Sequence, residues 1–241
     1  MKQRVHVAIA PIRKEPSDRS EMVSQGLMGE ELSILERQEK WTMVRMWIDG
    51  YEGWIDNKQF EESNDAEQLT ELTAPITRCV STDGSSLWLP AAARIPASWK
   101  IESTQIQLET GLNGVALIAN QFLNAPYLWG GRTILGIDCS GLTQLVFRLN
   151  GISIPRDAYQ QAEMGATISF IEEAHTGDLA FFDNAEGRIV HVGIVLRSED
   201  GQVQIIHASG KVRVDALDHQ GVFNRETRSY THKLRIIKRM E

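Results

Sequence analysis

Cysteine is scarce in this chain: two residues, Cys79 and Cys139, among 241. That excludes a disulfide-framed scaffold and fits a reducing compartment. Positive charge is also short, with 25 Lys and Arg against 32 Asp and Glu, a net charge of -7. Nucleic acid and anionic membrane both call for clustered cations, so neither is expected as a partner. No apolar run is long enough to span a bilayer. The opening residues MKQRVHVAIAPIRKEP lack the apolar stretch and small-residue cleavage site of a secretory leader. These absences together predict a cytoplasmic location. What remains is a globular composition, 42% hydrophobic with 19 Gly and 7 Pro, in a chain long enough for one large or two modest cores.

Two textures divide the chain. In residues 1–62, the stretches VHVAIAPI, ELSILER, WTMVRMWI and EGWID alternate apolar and polar residues between turn signals, as short strands do. Asp49-Gly50 is a strong turn dipeptide. Five short strands in this length predict a small all-β barrel with Trp41, Trp47 and Trp54 in its core or rim. Residues 63–103 begin with an acidic, polar run and read as a connector or a vestigial second barrel. Cys79 lies here in a strand-like context and reads as a small buried hydrophobe.

From residue 104 the period changes. Leu112, Val115, Ala116, Ala119 and Phe122 recur at helical spacing. A second helix is predicted from Ser140, with Leu142, Leu145, Val146 and Leu149 inward and Asn150-Gly151 as its stop. The strand-like stretches GDLAFFD, RIVHVGIVL, QVQIIHAS and HKLRIIKR follow. Helices followed by an antiparallel sheet make an α+β domain.

GIDCSGL, residues 136–142, puts Cys139 at or just before the start of that second helix. Unpaired N–H groups and the positive end of the dipole meet there. The environment is expected to favour the nucleophilic thiolate and to supply oxyanion donors. A base is needed nearby. Of six histidines, His191 and His207 fall in apolar strands joined by SEDG. A loop of three or five residues centred on Glu199 sets them directly opposite one another, on one face. His6, His175, His219 and His232 read as solvent-facing. Cysteine with two histidines could also bind zinc, but the spacing fits no compact zinc module, so no metal and no cofactor are assigned.

YLWGG (127–131), DCSGL (138–142), IPRDAYQQ (154–161), GDLAFF (177–182), HVGIVL (191–196) and IIHAS (205–209) together resemble the NlpC/P60 family of papain-like cell-wall peptidases, over residues 104–241. The first 62 residues resemble a bacterial SH3 domain. The resemblance implies Cys139 as nucleophile, His191 as base and His207 as the residue that orients it; Arg156 and Asp157 match a family motif but read as structural, with the Pro155 turn. The domain order, without a leader, further resembles the cytoplasmic γ-D-glutamyl-L-diamino-acid endopeptidases of murein recycling. In that group the SH3 domain packs over the active site, so that only murein peptides with an unblocked L-Ala enter. Carried over residue by residue, the ammonium would be held by Asp138, Ser140, Tyr51, Tyr127 and Glu21, with Glu30 the alternative to Glu21. Rival readings are a wall-cutting D,L-endopeptidase, an amidase or acyltransferase of the same fold, and a non-catalytic wall-binding protein.

Overall fold

A computed structural model of the chain describes residues 2–63, 68–108, 112–198 and 200–240. It divides into two compact units, residues 1–107 with 129–134, and residues 108–128 with 135–241. No helix among the described residues is long and apolar enough to cross a membrane.

The first unit is built on a seven-stranded antiparallel sheet comprising Gln3–Val5, Ile9–Arg13, Met22–Leu27, Glu31–Arg37, Trp41–Met46, Glu52–Asp56 and Phe60–Glu62. Strict alternation along Ile9–Arg13 and Trp41–Met46 turns every second residue inward, as a pleated strand requires. Val5, Ala10, Ile12, Leu32, Val44, Met46, Ile55 and Phe60 meet there as one core. Two strands exceed the five expected. Met22–Leu27 escapes pattern reading because it buries two polar residues, Ser24 and Gln25, which blur the apolar alternation. Trp41, Trp47 and Trp54 all keep solvent contact, so they are rim residues.

Residues 69–101 form two small sheets, 94–96 with 69–71, and 76–80 between 86–90 and 100–101. Leu72, Cys79, Leu89, Ala93 and Ile95 pack with Met28 in a second core. Cys79 is fully buried there. The stretch expected as a connector or vestigial barrel therefore has an apolar centre of its own, shared with the first sheet.

Gln25 is buried because the segment 129–134 is bound onto it. The Arg132 backbone N–H donates to Gln25 Oε1 at 2.8 Å, and its Nη1 donates to the Gln25 carbonyl at 2.6 Å. Both guanidinium Nη atoms also donate to the Glu30 carboxylate at 3.0 Å. Arg132 and Glu30 are 1% and 2% exposed. Gly130 enters at φ +76°, where a Cβ would lie 2.5 Å from the Met22 carbonyl oxygen; only glycine allows that approach.

The second unit carries α1 (Leu112–Asn120), α2 (Cys139–Leu149) and α3 (Ala158–Gln161). Its antiparallel sheet runs in the order 166–168, 229–239, 179–183, 189–197, 203–209, 211–218, 221–224, and the last strand pairs back onto 229–239. Six strands thus close on themselves around Ala180, Phe182, Val195, Ile205, Leu217, Val222 and Ile237. Every residue of α2 is buried, a stronger burial than the one-sided stripe expected. Each large apolar side chain sunk there contributes roughly 1.5 to 3 kcal/mol. In α1, Val115, Ile118, Ala119 and the following Phe122 face inward; the side chain of Leu112 lies outside the described residues.

Truncating one half of a buried ion pair strands the other charge, which is worth about 3 to 5 kcal/mol. Glu30→Ala should therefore lower the melting temperature by roughly 6 to 20 °C, taking 2 to 4 °C per kcal/mol for a chain of this size. The exposed pair Arg45 and Glu52 should be nearly silent to Glu52→Ala. Thermal denaturation of both variants checks this, and equal shifts would contradict it.

Candidate active site

Asp138 starts the site. It is the N-cap of α2, with extended backbone, and its Oδ1 accepts the Gly141 N–H at 2.7 Å. The same carboxylate receives Arg156 through two bonds, Nη1 to Oδ1 at 3.0 Å and Nη2 to Oδ2 at 2.6 Å. Arg156 Nη1 also donates to Ser140 Oγ at 2.9 Å. Gln161 Nε2 holds the Ser140 and Pro155 carbonyls, at 3.1 and 2.8 Å, and its Oε1 accepts Thr143 Oγ1–H at 2.8 Å. The IPRDAYQQ stretch therefore braces the first turn of α2, and Arg156 neutralises Asp138.

Cys139 is the first residue of α2. Backbone N–H groups of Val192 and Ser140 point at its sulfur and lower its pKa, yet burial and then the Asp138 charge outweigh them and push the thiol up to about 12. Burial thus opposes the thiolate expected from a helix start. Desolvation penalises the anion, and the cap that stabilises the helix is itself an anion. Tyr127, 37% exposed, feels burial first and then the charges of Cys139 and Asp138, and its phenol is likewise raised to about 12. Tyr127, Asp138, Cys139 and Ser140 therefore share one neighbourhood.

His191, the candidate base, lies on the strand 189–197, opposite Phe182 of the strand 179–183. His191 Nε2 and His207 Nδ1 are 2.8 Å apart, and His207 Nε2 lies 3.0 Å from Asp215 Oδ2. Proton placement follows from the far end. An ionised Asp215 only accepts, so His207 holds its proton on Nε2, accepts on Nδ1, and fixes the His191 proton on Nε2. His191 Nδ1 is left with the lone pair. Burial pushes Asp215 up, but hydrogen bonds from His207 and Arg213 outweigh it and hold the carboxyl below its usual range. Arg213 grips it twice, at 2.7 and 3.0 Å. Burial first, then His232 and His207, hold His191 well below its ordinary pKa. Burial thus shifts thiol and imidazole alike toward their neutral forms.

Three expectations change. The hairpin pairs Ile194 with Ile206 and Arg197 with Val203, which centres it on Asp200; Glu199, the expected centre, lies outside the described residues. His191 and His207 are therefore diagonal rather than opposite. They still share a face, because a shift of two residues preserves side-chain direction. Carrying the register one step further sets Gly193 across from His207, and a Cβ there would lie 2.8 Å from His207 Cβ. The missing side chain is what lets the two rings approach. His232 is not solvent-facing: it is half-buried and stacks on His191, with ring centroids 4.1 Å apart and planes at 21°. Its signal was present, since His232, Leu234 and Ile236 alternate with Lys233 and Arg235. His6, His175 and His219 are exposed.

Asp215 and Arg213 were missed entirely. An acidic residue between Val214 and Ala216 in a strand pattern was the available signal. Tyr51 and Glu21 lie in the first unit. Tyr51 follows the Asp49-Gly50 turn and its N–H donates to Asp49 Oδ1. Glu21 accepts Trp129 Nε1–H at 2.7 Å and lies 3.7 Å from Lys14 Nζ. Glu30, the alternative acidic contact, is committed to Arg132.

Comparison with known proteins is consistent with this geometry. Residues 124–231 match the NlpC/P60 family, and residues 12–60 match the bacterial dipeptidyl-peptidase Sh3 domain. A gamma-D-glutamyl-L-lysine dipeptidyl-peptidase of Bacillus subtilis (strain 168) is 28% identical over 202 residues, 71% of this chain and 68% of that one. The murein DD-endopeptidase MepS/murein LD-carboxypeptidase of Escherichia coli (strain K12) is 35% identical over 143 residues, 56% of this chain and 65% of that one. Among solved structures, an NlpC/P60 family protein from Bacillus cereus ATCC 10987 has the same fold, with a TM-score of 0.80 at 20% identity over 99% of both chains. Residues 12–60 are a bacterial SH3 domain and residues 124–231 an NlpC/P60 domain, and the chain is accordingly a cysteine peptidase, a hydrolase of the NlpC/P60 kind.

Proposed function

We propose that this peptidase cleaves the amide between the γ-carboxyl of D-Glu and an L-diamino acid, in murein peptides that begin with unblocked L-Ala. The setting is the cytoplasm, during reuse of wall fragments. The observation that carries the reading is Cys139 at the start of α2, its sulfur facing the backbone N–H of Val192 next to His191, whose ring is hydrogen-bonded to His207 and through it to Asp215. The substrate class is supported by the relatives of Bacillus subtilis and Bacillus cereus, both named for the γ-D-glutamyl-L-lysine bond.

The thiol proton passes to His191 Nδ1 as sulfur attacks the γ-carbonyl carbon, so charge appears only as bonds change. First-turn amides of α2 stabilise the resulting oxyanion. His191 then returns the proton to the departing amine, and water hydrolyses the thioester by the same route in reverse. For the substrate's ammonium, Ser140 and Tyr127 offer hydroxyl acceptors. Asp138, already matched by Arg156, acts by placing Ser140 rather than as an uncompensated anion. Tyr51 and Glu21 enter the proposal on the resemblance alone.

Replacing the nucleophile or the base should lower kcat by on the order of a thousandfold or more for Cys139→Ala and His191→Ala. Cys79→Ala should leave it unchanged. His207→Ala and Asp215→Ala should each lower kcat by roughly 10- to 100-fold, and the double variant should be no worse than the worse single, because the two act as one unit. Additive losses would break the relay.

N-acetylation of L-Ala removes an ammonium whose charge-assisted hydrogen bonds are worth roughly 1.5 to 3 kcal/mol each. It should reduce kcat/KM on L-Ala-γ-D-Glu-L-Lys by at least about a hundredfold, at 1.4 kcal/mol per decade. Intact glycan-linked peptide, whose L-Ala nitrogen is acylated, should fail likewise. Equal turnover of blocked and unblocked peptides would replace the recycling reading with that of a wall-cutting endopeptidase.

A further inference from the structure

The relay accounts for His191, His207 and Asp215 but gives His232 nothing to do. Yet His232 completes a cluster. One ring nitrogen from each of His191, His207 and His232 lies within 4.8 Å of the others, the one grouping of three or more such ligating side chains among the described residues. Its Nδ1 is 2.9 Å from Thr231 Oγ1, so a proton donated there leaves the lone pair on Nε2. Its ring covers that of His191 at 4.1 Å and meets that of His207 edge-on at 5.7 Å.

We propose that His191, His207 and His232 form a three-imidazole site for a divalent transition metal, zinc by preference, and that filling it switches the peptidase off. Three imidazoles with an open fourth position are a ligand set that zinc accepts, and imidazole suits zinc better than the hard cations. The surroundings match as well. A histidine that binds metal through one nitrogen gains from a carboxylate on the other, and His207 already has Asp215 on Nε2 with Arg213 behind it. Tetrahedral geometry with metal–nitrogen bonds of about 2.0 to 2.1 Å separates the ligating nitrogens by about 3.3 Å. The 2.8 Å contact between His191 and His207 therefore opens by about half an ångström, and His232 turns out of its stack on His191 to bring its nitrogen in from within 4.8 Å, a rotation of three rings rather than a refolding.

The chemistry of inhibition follows from the tautomers. In the relay, His191 keeps its proton on Nε2 and uses Nδ1 as base. A metal can bind only to a lone pair, so metal at Nε2 moves that proton to Nδ1. The proton count is unchanged, but the nitrogen that must accept the thiol proton now carries one. His207 binds through the Nδ1 lone pair it already has. The site thus competes with catalysis for the same nitrogens, and its metal is an inhibitor rather than a participant.

The inhibitory half of this inference rests on the hydrolytic reading given above; the binding half does not, and two arms separate them. In the first, the full chain carrying Cys139→Ala, which removes the thiol as a ligand, is titrated with Zn²⁺ by calorimetry and with Co²⁺ by visible absorption. One ion per chain and a tetrahedral cobalt spectrum are expected. Adding His232→Phe, which keeps the stacked ring without its nitrogens, should weaken binding at least about tenfold; His232→Gln serves should the Phe variant fold poorly. In the second arm, Zn²⁺ should inhibit hydrolysis of L-Ala-γ-D-Glu-L-Lys by the wild-type chain, reversibly with chelator. The half-inhibiting concentration should rise at least about tenfold in His232→Phe, each variant measured against its own metal-free rate. Absence of binding to the Cys139→Ala chain, or equal inhibition of wild type and His232→Phe, would overturn the site, since the thiol alone would then be the target. Stimulation by Zn²⁺ would overturn the inhibitory role. A wild-type chain inert toward the peptide would sink the substrate reading while the first arm still decides the metal site.

Discussion

The hydrogen-bonded line from Asp215 through His207 to His191 is the interaction on which the rest of the site depends. It decides where two protons reside among buried side chains, and so which nitrogen of His191 keeps a lone pair. Each link demands something of the fold. Arg213 and Asp215 must lie on the strand beside His207, which the 203–209 and 211–218 pairing provides by setting Arg213 opposite His207. His191 must lie diagonal to His207, which the hairpin centred on Asp200 provides. Position 193 must lack a side chain. A papain-like base with a histidine behind it would be weakly supported, since imidazole stabilises an imidazolium less than a carboxylate does. Here the carboxylate is present, one residue further back.

Electrostatics at the candidate site follows one pattern: Asp138 and Asp215 are buried against arginines, and the candidate nucleophile and base are shifted toward their neutral forms. Asp138 meets Arg156 and Asp215 meets Arg213. Cys139 and His191, without permanent partners of opposite charge, are both shifted toward their uncharged forms by burial. Burial therefore works against a standing thiolate–imidazolium pair. The site holds a hydrogen-bonded frame around which such a pair can form as substrate arrives, with the reorganisation already done when the chain folds. A resting thiol is also a weaker target for adventitious oxidants than a thiolate.

Much of this was legible in the sequence, and what was not has a physical cause. Cys139, the helix beginning at it, and the two strand histidines stood out because each departs from its local pattern: a thiol between polar and glycine neighbours, imidazoles among β-branched residues. The diagonal register was misjudged by two residues because turn length, not strand composition, sets it. Asp215 and His232 were overlooked because their meaning is long-range. An acid in an amphipathic strand is ordinary until His207 lies beside it, and a histidine near the C-terminus is ordinary until its strand pairs with residues 179–183. The same holds in the first unit, where Glu30 stands only as the alternative to Glu21 and Gln25 draws no reading, until Arg132, more than a hundred positions away, is bound to them. Helix-start electrostatics alone points to the thiolate because dipole arguments assume a solvated terminus; this one is buried, and burial acts in the opposite direction.

The tautomer of His191 is the most direct test of the account. In the Cys139→Ala chain, ¹⁵N chemical shifts and long-range ¹H–¹⁵N couplings of the two relay histidines report which nitrogen of each carries its proton. With metal excluded, the account predicts the proton on Nε2 for both His191 and His207, and a switch of His191 to a mixture of tautomers in Asp215→Ala. A proton found on Nδ1 of His191 with Asp215 intact would contradict it, for the base would then have nothing with which to accept the proton of the thiol.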